Sequence, residues 1–275
     1  MRPLPPRDAP EAMHRQRDGR PFTVRKLEPA YETSGGGTVE PRTSRTLQVL
    51  HHYFMTQGLT SEVAGELAEL SRLQRHPRTA EPVLLGPRYI EFVMCGTILV
   101  NGRIWGGNYV LGNLDIFTEV PSIGKRERVQ FLAETRTIRI PREALRSRAV
   151  RDLSVVRMIH QRLMGYVTEF EWLYGTSPLA PVCRVARLLH YLSFQQERGA
   201  EILTGVLDPN IVQGPSQRDF SEALGLGLAT VEKSVRALRV HHVLGSSTGT
   251  RTNRAYKIND HGLLRQIAAG ATLND

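Results

Sequence analysis

The chain has 275 residues, 40% of them hydrophobic, and carries 36 Lys and Arg against 27 Asp and Glu, a formal net charge of +9. That length holds two ordinary domains with packed cores, which excludes fibrous, collagen-like and wholly disordered classes. The charge predicts attraction to a polyanion, either nucleic acid or an anionic membrane surface. Cys95 and Cys183 stand far apart, so no disulfide framework, CxxC metal knuckle or four-cysteine iron–sulfur site can be built. The N-terminus lacks the apolar core of a secretory signal. The longest nearly apolar run, residues 89–100, contains Glu91 and is too short to span a bilayer. A cytoplasmic protein that does not enter a membrane is expected.

Residues 1–46 hold seven prolines and four glycines with almost no periodic apolar pattern, the composition of a disordered basic arm. Arg15, Arg17, Arg20, Arg25 and Lys26 are available there to nucleic acid or a partner, although a solvated tail is the simpler account. Gly35-Gly36-Gly37 reads as linker, because no strand precedes it and no Gly-Lys-Ser/Thr follows. A first domain is expected over 47–150. Leu47, Leu50 and Phe54 form one helical stripe, and Thr60 is a candidate N-cap for a second helix through Val63, Leu67, Leu70 and Leu73. From 83 to 140 the pattern changes to short β-branched and aromatic segments punctuated by glycines, which predicts a compact antiparallel roll of jelly-roll type with flanking helices.

Pro141 ends the strands, and a short helix over 142–148 leads into a longer one over 151–177. Val156, Ile159, Leu163, Tyr166, Phe170 and Leu173 recur there at spacings of 3, 4, 3, 4 and 3, the a/d pattern of a coiled-coil seam. The pattern predicts a homodimer, although a helix packed within one chain produces the same spacing. Pro178 and Pro181 break the helix and open a second domain over 178–275. Val182, Val185, Leu188, Leu189 and Leu192 make an amphipathic helix to about Gln196, followed by a loop through Pro209.

The most informative stretch runs from Ser216 to Leu238. Ser216 and Asp219 form a capping-box pattern, Phe220, Ala223 and Leu224 supply the buried face of one helix, and Gly225 can take the left-handed conformation of a sharp turn. Val231, Val235 and Leu238 define the buried face of a second helix, leaving Thr230, Glu232, Lys233, Arg236 and Arg239 to solvent or a groove. This is a helix-turn-helix pattern. Beyond it, Val243-Leu244 and 255–258 read as two strands whose connection carries Arg251 and Arg254, a hairpin suited to phosphates. Between Ser216 and Lys257 seven basic residues face three acidic ones. An all-protein helical hairpin is the competing reading.

At this point the sequence resembles the Crp/Fnr family of bacterial transcription regulators over roughly residues 47–268. The resemblance rests on domain order, on 138–145 (Ile-Arg-Ile-Pro-Arg-Glu-Ala-Leu), on the seam helix, and on 184–189 (Arg-Val-Ala-Arg-Leu-Leu) leading into a C-terminal winged helix. It implies an α+β protein with an N-terminal roll, a coiled-coil dimerisation helix and a winged helix-turn-helix domain. It also implies one recognition helix on each half of a roughly palindromic site in double-stranded DNA, and contact with RNA polymerase or occlusion of a promoter. By this resemblance Leu228, Ala229, Thr230, Glu232, Lys233 and Arg236 read bases, and Ser216, Gln217, Arg218, Arg239, Arg251 and Arg254 contact phosphates.

The resemblance places a degenerate effector site at Thr118, Glu119, Lys125 and Arg126. Cyclic-nucleotide-binding relatives have a glycine where Thr118 stands and an Arg-Ser-Ala where this chain reads Arg126-Glu127-Arg128, so DNA binding independent of cyclic AMP is expected. A small effector bound in the roll, switching DNA binding, is the alternative. No cofactor or metal is expected. An enzyme on a cupin-like roll would need histidine ligands, and 83–140 contains no histidine.

Overall fold

The computed structural model describes residues 37–112, 127–175, 178–203, 208, 210–245 and 254–272. α1 (Ser44–Thr56) begins where Thr43 turns extended and its hydroxyl accepts from Thr46 N–H. α2 (Ser61–Leu70) is capped in the same way by Thr60, accepting from Val63 N–H. Ahead of them, β1 (Thr38–Val39) pairs antiparallel with β2 (Arg72–His76), so regular structure starts before the expected boundary at 47. Leu73 lies on β2, paired with Ile138, and not on α2. The helix stops at Ser71, whose backbone turns extended and whose hydroxyl donates to Leu67 O at 2.5 Å. The helical spacing runs one residue too far because the first buried strand residue falls in phase with it.

β2 belongs to a five-stranded antiparallel sheet in the order β1-β2-β9-β4-β7, with β4 (Tyr89–Cys95), β7 (Val110–Leu111) and β9 (Thr135–Pro141). β3 (Val83–Leu84), β5 (Ile98–Val100), β6 (Arg103–Trp105) and β8 (Arg128–Phe131) form a second sheet in the order β3-β8-β5-β6. Period-two alternation sorts β4 and β9 into two faces. Ile90, Phe92, Ile138 and Ile140 pack with Leu50, Phe54 and Leu67 of the helical layer, whereas Val93 joins Ile98, Ile104 and Phe131 inside the roll.

The inner face also buries a polar cluster. Glu91 Oε1 accepts from Arg139 Nε at 2.8 Å, and Glu91 Oε2 accepts from His76 Nε2 at 3.0 Å and Thr137 Oγ1 at 2.9 Å. The His76 ring stacks on Phe131 with centroids 4.2 Å apart. β2 thus brings one histidine into the roll, bonded to a carboxylate; among the described residues no group of three or more His, Cys, Asp or Glu could hold a metal.

α3 (Arg142–Arg151) and α4 (Leu153–Tyr174) follow, with Asp152 accepting from Ser154 N–H at 2.8 Å to cap α4. α5 (Pro181–Leu203) starts at Pro181, which suits a first helical position because its missing N–H is not needed there, and it continues beyond Gln196. Then come β10 (Ile211–Gln213), α6 (Gln217–Leu224), α7 (Leu228–Val240), β11 (Ala255–Lys257) and α8 (His261–Ala268). The principal partner of β11 is β10, in a stretch for which the sequence suggests no element, and Leu244 contributes only an isolated bridge to Ile258. α8, absent from the sequence expectation, is capped by Asp260 accepting from Leu263 N–H at 2.8 Å. No helix of the described residues is long and apolar enough to cross a membrane.

Trp105, 1% exposed, joins the roll to the helices. Its ring lies 4.9 Å from Tyr166, 6.3 Å from Phe170 and 5.6 Å from Tyr174 on α4, 6.5 Å from Tyr191 on α5, and 5.0 Å from Tyr109. Tyr174 Oη donates to Ile104 O at 2.6 Å and accepts from Ile104 N–H at 2.9 Å, clamping α4 to β6.

Burial alone would raise the Glu91 carboxyl, but the hydrogen bond from His76, the charge of Arg139 and the Thr137 hydroxyl outweigh it and hold the carboxyl below its ordinary range. A carboxyl lowered on folding stabilises the fold above the unfolded value, about 4.3, and that contribution is lost as the pH falls toward the folded value. Glu91→Ala, which leaves Arg139 buried without its carboxylate, is expected to cost about 3–5 kcal/mol in urea unfolding at pH 7, with the difference from the parent shrinking below pH 4.

Candidate nucleic-acid interface

α6 starts with a complete capping box: Ser216 Oγ accepts from Asp219 N–H at 3.2 Å, and Asp219 Oδ2 accepts from Ser216 N–H at 2.6 Å. It ends at Gly225 in the left-handed conformation, φ 61° and ψ 38°, which a side chain would strain. The turn is locked across its width, Leu226 N–H donating to Ser221 O at 3.0 Å and Ser221 Oγ to Leu226 O at 2.6 Å. α7 leaves this turn without a side-chain cap; Thr230 N–H donates to Gly227 O at 3.0 Å, and the N–H groups of Leu228 and Ala229 remain available to an anion.

The buried face of α7 is Val231, Ser234, Val235 and Leu238. Its opposite face presents Leu228, Ala229, Glu232, Lys233, Arg236 and Val240, all exposed. Five of the six expected base-reading residues therefore share one outward face. Thr230 does not: it is half-buried on the flank, and its carbonyl accepts from Ser234 Oγ at 2.8 Å.

The expected phosphate ligands divide. Arg218 is exposed and Gln217 half-buried in the first turn of α6. The Ser216 hydroxyl is spent on the capping box, donating to Asp219 Oδ2 at 2.7 Å. Arg254 is tied down, donating to Gly214 O at 3.2 Å and pairing with Asp219 at 3.7 Å. Arg239 is half-buried, its Nε enclosed and without a hydrogen-bond partner among the described residues. Arg251 lies outside the described residues.

Two arginines that the sequence offered only as family matches hold this unit together. Arg184 donates to Leu224 O at the C-terminal end of α6. Arg187, 7% exposed, donates through Nε to Ala268 O of α8 at 2.8 Å and through Nη1 to Trp172 O of α4 at 2.9 Å. The unit is seated against the roll, where Arg103 donates to Ala223 O and Thr97 Oγ1 to Gln213 O at 2.9 Å. Gly214, at φ 114°, passes so close that a Cβ there would come within 2.9 Å of the Leu132 carbonyl carbon.

No protein-family model matches the chain, and no curated protein matches it. Among solved structures, FixK2 from Bradyrhizobium japonicum is similar with a TM-score of 0.52 at 19% identity, over 74% of this chain and 99% of FixK2. A protein from Silicibacter pomeroyi DSS-3 described as a candidate cAMP-binding regulatory protein gives 0.53 at 14% identity, over 82% of this chain and 99% of its own. A candidate cyclic nucleotide binding protein from Ruegeria pomeroyi DSS-3 gives 0.53 at 15%, over 82% and 98%. The chain shares the fold of these three proteins.

Within that fold, the effector positions Thr118, Glu119, Lys125 and Arg126 lie outside the described residues. The neighbouring Glu127 is described, and its carboxylate accepts from Gly112 N–H at 2.7 Å and Tyr109 Oη at 3.3 Å. Burial pushes this carboxyl up against the effect of those bonds.

The six residues expected at a dimer interface do not share one exposed face. Ile159, 2% exposed, and Leu173, 0% exposed, are taken up by the chain's own cores, and Tyr166 packs on Trp105. The outward stripe instead runs through Leu153, His160, Leu163 and Val167, whereas Val156 is half-buried against the helical layer and Phe170 lies 6.3 Å from Trp105. Leu153 is 79% exposed and Val167 45%. Helix α4 carries two adjacent apolar stripes, and the roll occupies one of them.

Arg187→Met deprives two carbonyls of a charged donor, at about 1–3 kcal/mol each. It is expected to lower the urea-unfolding free energy by about 2–4 kcal/mol, whereas Arg236→Met on the exposed face of α7 stays within about 0.5 kcal/mol of the parent.

Proposed function

We propose that the chain is a sequence-specific DNA-binding transcription regulator of Crp/Fnr type. It acts in the cytoplasm as a homodimer on a roughly palindromic promoter site and regulates through RNA polymerase without cyclic AMP. The observation that carries this reading is the outer face of α7, where Ala229, Glu232, Lys233 and Arg236 project side by side from a helix whose other face is fully packed. A side chain reaches base edges only from an element that fits the major groove and leaves its polar face unspent. Lys233 is suited to guanine, Glu232 to the cytosine amino group, and Leu228 and Ala229 to thymine methyls. Arg218 at the start of α6 supplies the backbone contact that fixes register. The segment between α7 and β11 that carries Arg251 serves as the wing.

Dimer formation is supported by the outward stripe of α4, which leaves Leu153, Leu163, Met164 and Val167 each more than 40% exposed on one helix. Independence from cyclic AMP is supported by Glu127, which satisfies the Gly112 N–H with an anion of the chain's own.

Lys233→Ala is expected to cost about 1–3 kcal/mol on the preferred site and little on random duplex. Arg218→Ala is expected to weaken both about equally and to reduce the slope of log K on log salt by about 1. Fluorescence anisotropy at several salt concentrations separates the two, and identical responses would refute the role assignments. For the seam, Leu163→Asp is expected to give a folded monomer in sedimentation, whereas Ile159→Asp destabilises the fold itself.

A further inference from the structure

A cavity of about 210 Å³ opens between the end of α1, the β6–β7 turn, α4 and α5. It lies on the flank of α4 that bears Arg162, Gly165 and Glu169, away from the outward Leu163–Val167 stripe.

Its charge is set by two arginines. Arg162 is half-buried, its guanidinium fixed in the wall by donation to Asn108 O at 3.4 Å, Tyr53 Oη at 3.1 Å and Gln57 Oε1. All three partners are neutral, and Arg162 forms no ion pair among the described residues. Asn108 holds its backbone at φ 69°, a left-handed conformation that asparagine tolerates. Arg198 stands exposed at the mouth, its guanidinium 5.8 Å from the Phe194 ring centroid, with no hydrogen bond or ion pair among the described residues. One carboxylate faces them, Glu169, and its oxygens already accept from Tyr191 Oη at 3.0 Å and Gln195 Nε2 at 3.2 Å. The cavity therefore carries an excess positive charge with one free guanidinium.

Shape and size narrow the ligand further. Tyr109 and Tyr166, their rings 5.6 Å apart and edge to face, give the cavity flat aromatic walls. Gly165 lies in the middle of α4, where glycine costs about 0.5–1 kcal/mol relative to alanine, and a Cβ there would meet nothing within 4 Å. The missing side chain keeps the cavity open. A cavity of about 150 Å³ admits benzene and drug-sized ligands need about 300–1,000 Å³, so the volume here suits one ring with one small substituent and is too small for a nucleotide.

We propose that this cavity binds a small planar monocarboxylate of the benzoate class, its carboxylate taken by Arg198 and Arg162 and its ring laid against Tyr109 and Tyr166. A guanidinium matches a carboxylate with paired parallel hydrogen bonds, which an ammonium cannot do. The occupant touches the roll, α4 and α5 at once. Any effect of occupancy on DNA binding rests on the regulator reading above, whereas binding itself does not.

The test is titration of the full chain with benzoate, read by calorimetry and by the fluorescence of Trp105, which lies about 5 Å from both wall tyrosines. Saturable one-to-one binding is expected, with no binding of benzylamine. Arg198→Ala and Gly165→Leu are each expected to weaken benzoate about tenfold or more, a change of about 1.4 kcal/mol. Neither substitution removes a side-chain hydrogen bond or ion pair among the described residues, so both variants remain folded. No saturable benzoate binding, or affinity unchanged in both variants, overturns the proposal. DNA binding measured on the same samples tells its failure apart from a failure of the regulator reading.

Discussion

The architecture turns on one buried indole. Trp105 stands at the end of β6 with five aromatic rings around it, three from α4, one from α5 and one from the following strand region. Such ring pairs contribute about 0.5–1.5 kcal/mol each beyond the area they bury. Two of the tyrosines also bond the backbone beside the indole, Tyr174 at Ile104 and Tyr191 at Gly106. The same cluster decides which side of α4 faces inward and where α5 begins its path along the roll. The outward stripe of α4 and the position of the α6–α7 unit both follow from it.

A second constraint governs α7. Among the described residues, Glu232, Lys233 and Arg236 on its outer face make no hydrogen bond or ion pair, and other arginines hold the unit from beneath: Arg184 takes the end of α6, and Arg187 ties α8 to α4. Arg254, just before β11, pairs with the capping aspartate. The net charge of the chain is therefore not a uniform field. Some arginines are spent on carbonyls and carboxylates within the fold, and others, Arg218 and Arg236 among them, are left exposed.

Much of this was legible in the sequence where the signal is local. The capping box at Ser216 and Asp219, the turn at Gly225 and the buried stripe of α7 each depend on residues within four positions, and each is found as read. The glycine-punctuated segments after Val83 do form antiparallel sheets. What failed depended on distant partners. β10 has three residues and no alternation long enough to see, and only pairing with β11 makes it a strand. The a/d spacing on α4 can be read locally, but which of its residues the chain's own cores take up depends on where Trp105 sits. Arg254 and the Ser216 hydroxyl looked free for phosphates because sequence does not reveal that Asp219 engages both. The cavity beside Gly165 had no sequence signal, since its lining comes from four elements spread over about 140 residues of chain.

The most direct test of the central claim is selection of bound sites from randomised duplex DNA by the purified chain, with and without cyclic AMP. Enrichment of a two-fold symmetric site, its half-sites about one helical turn apart, recovered equally in both conditions, is the predicted result. Enrichment only with the nucleotide, or no enrichment in either condition, would contradict the account.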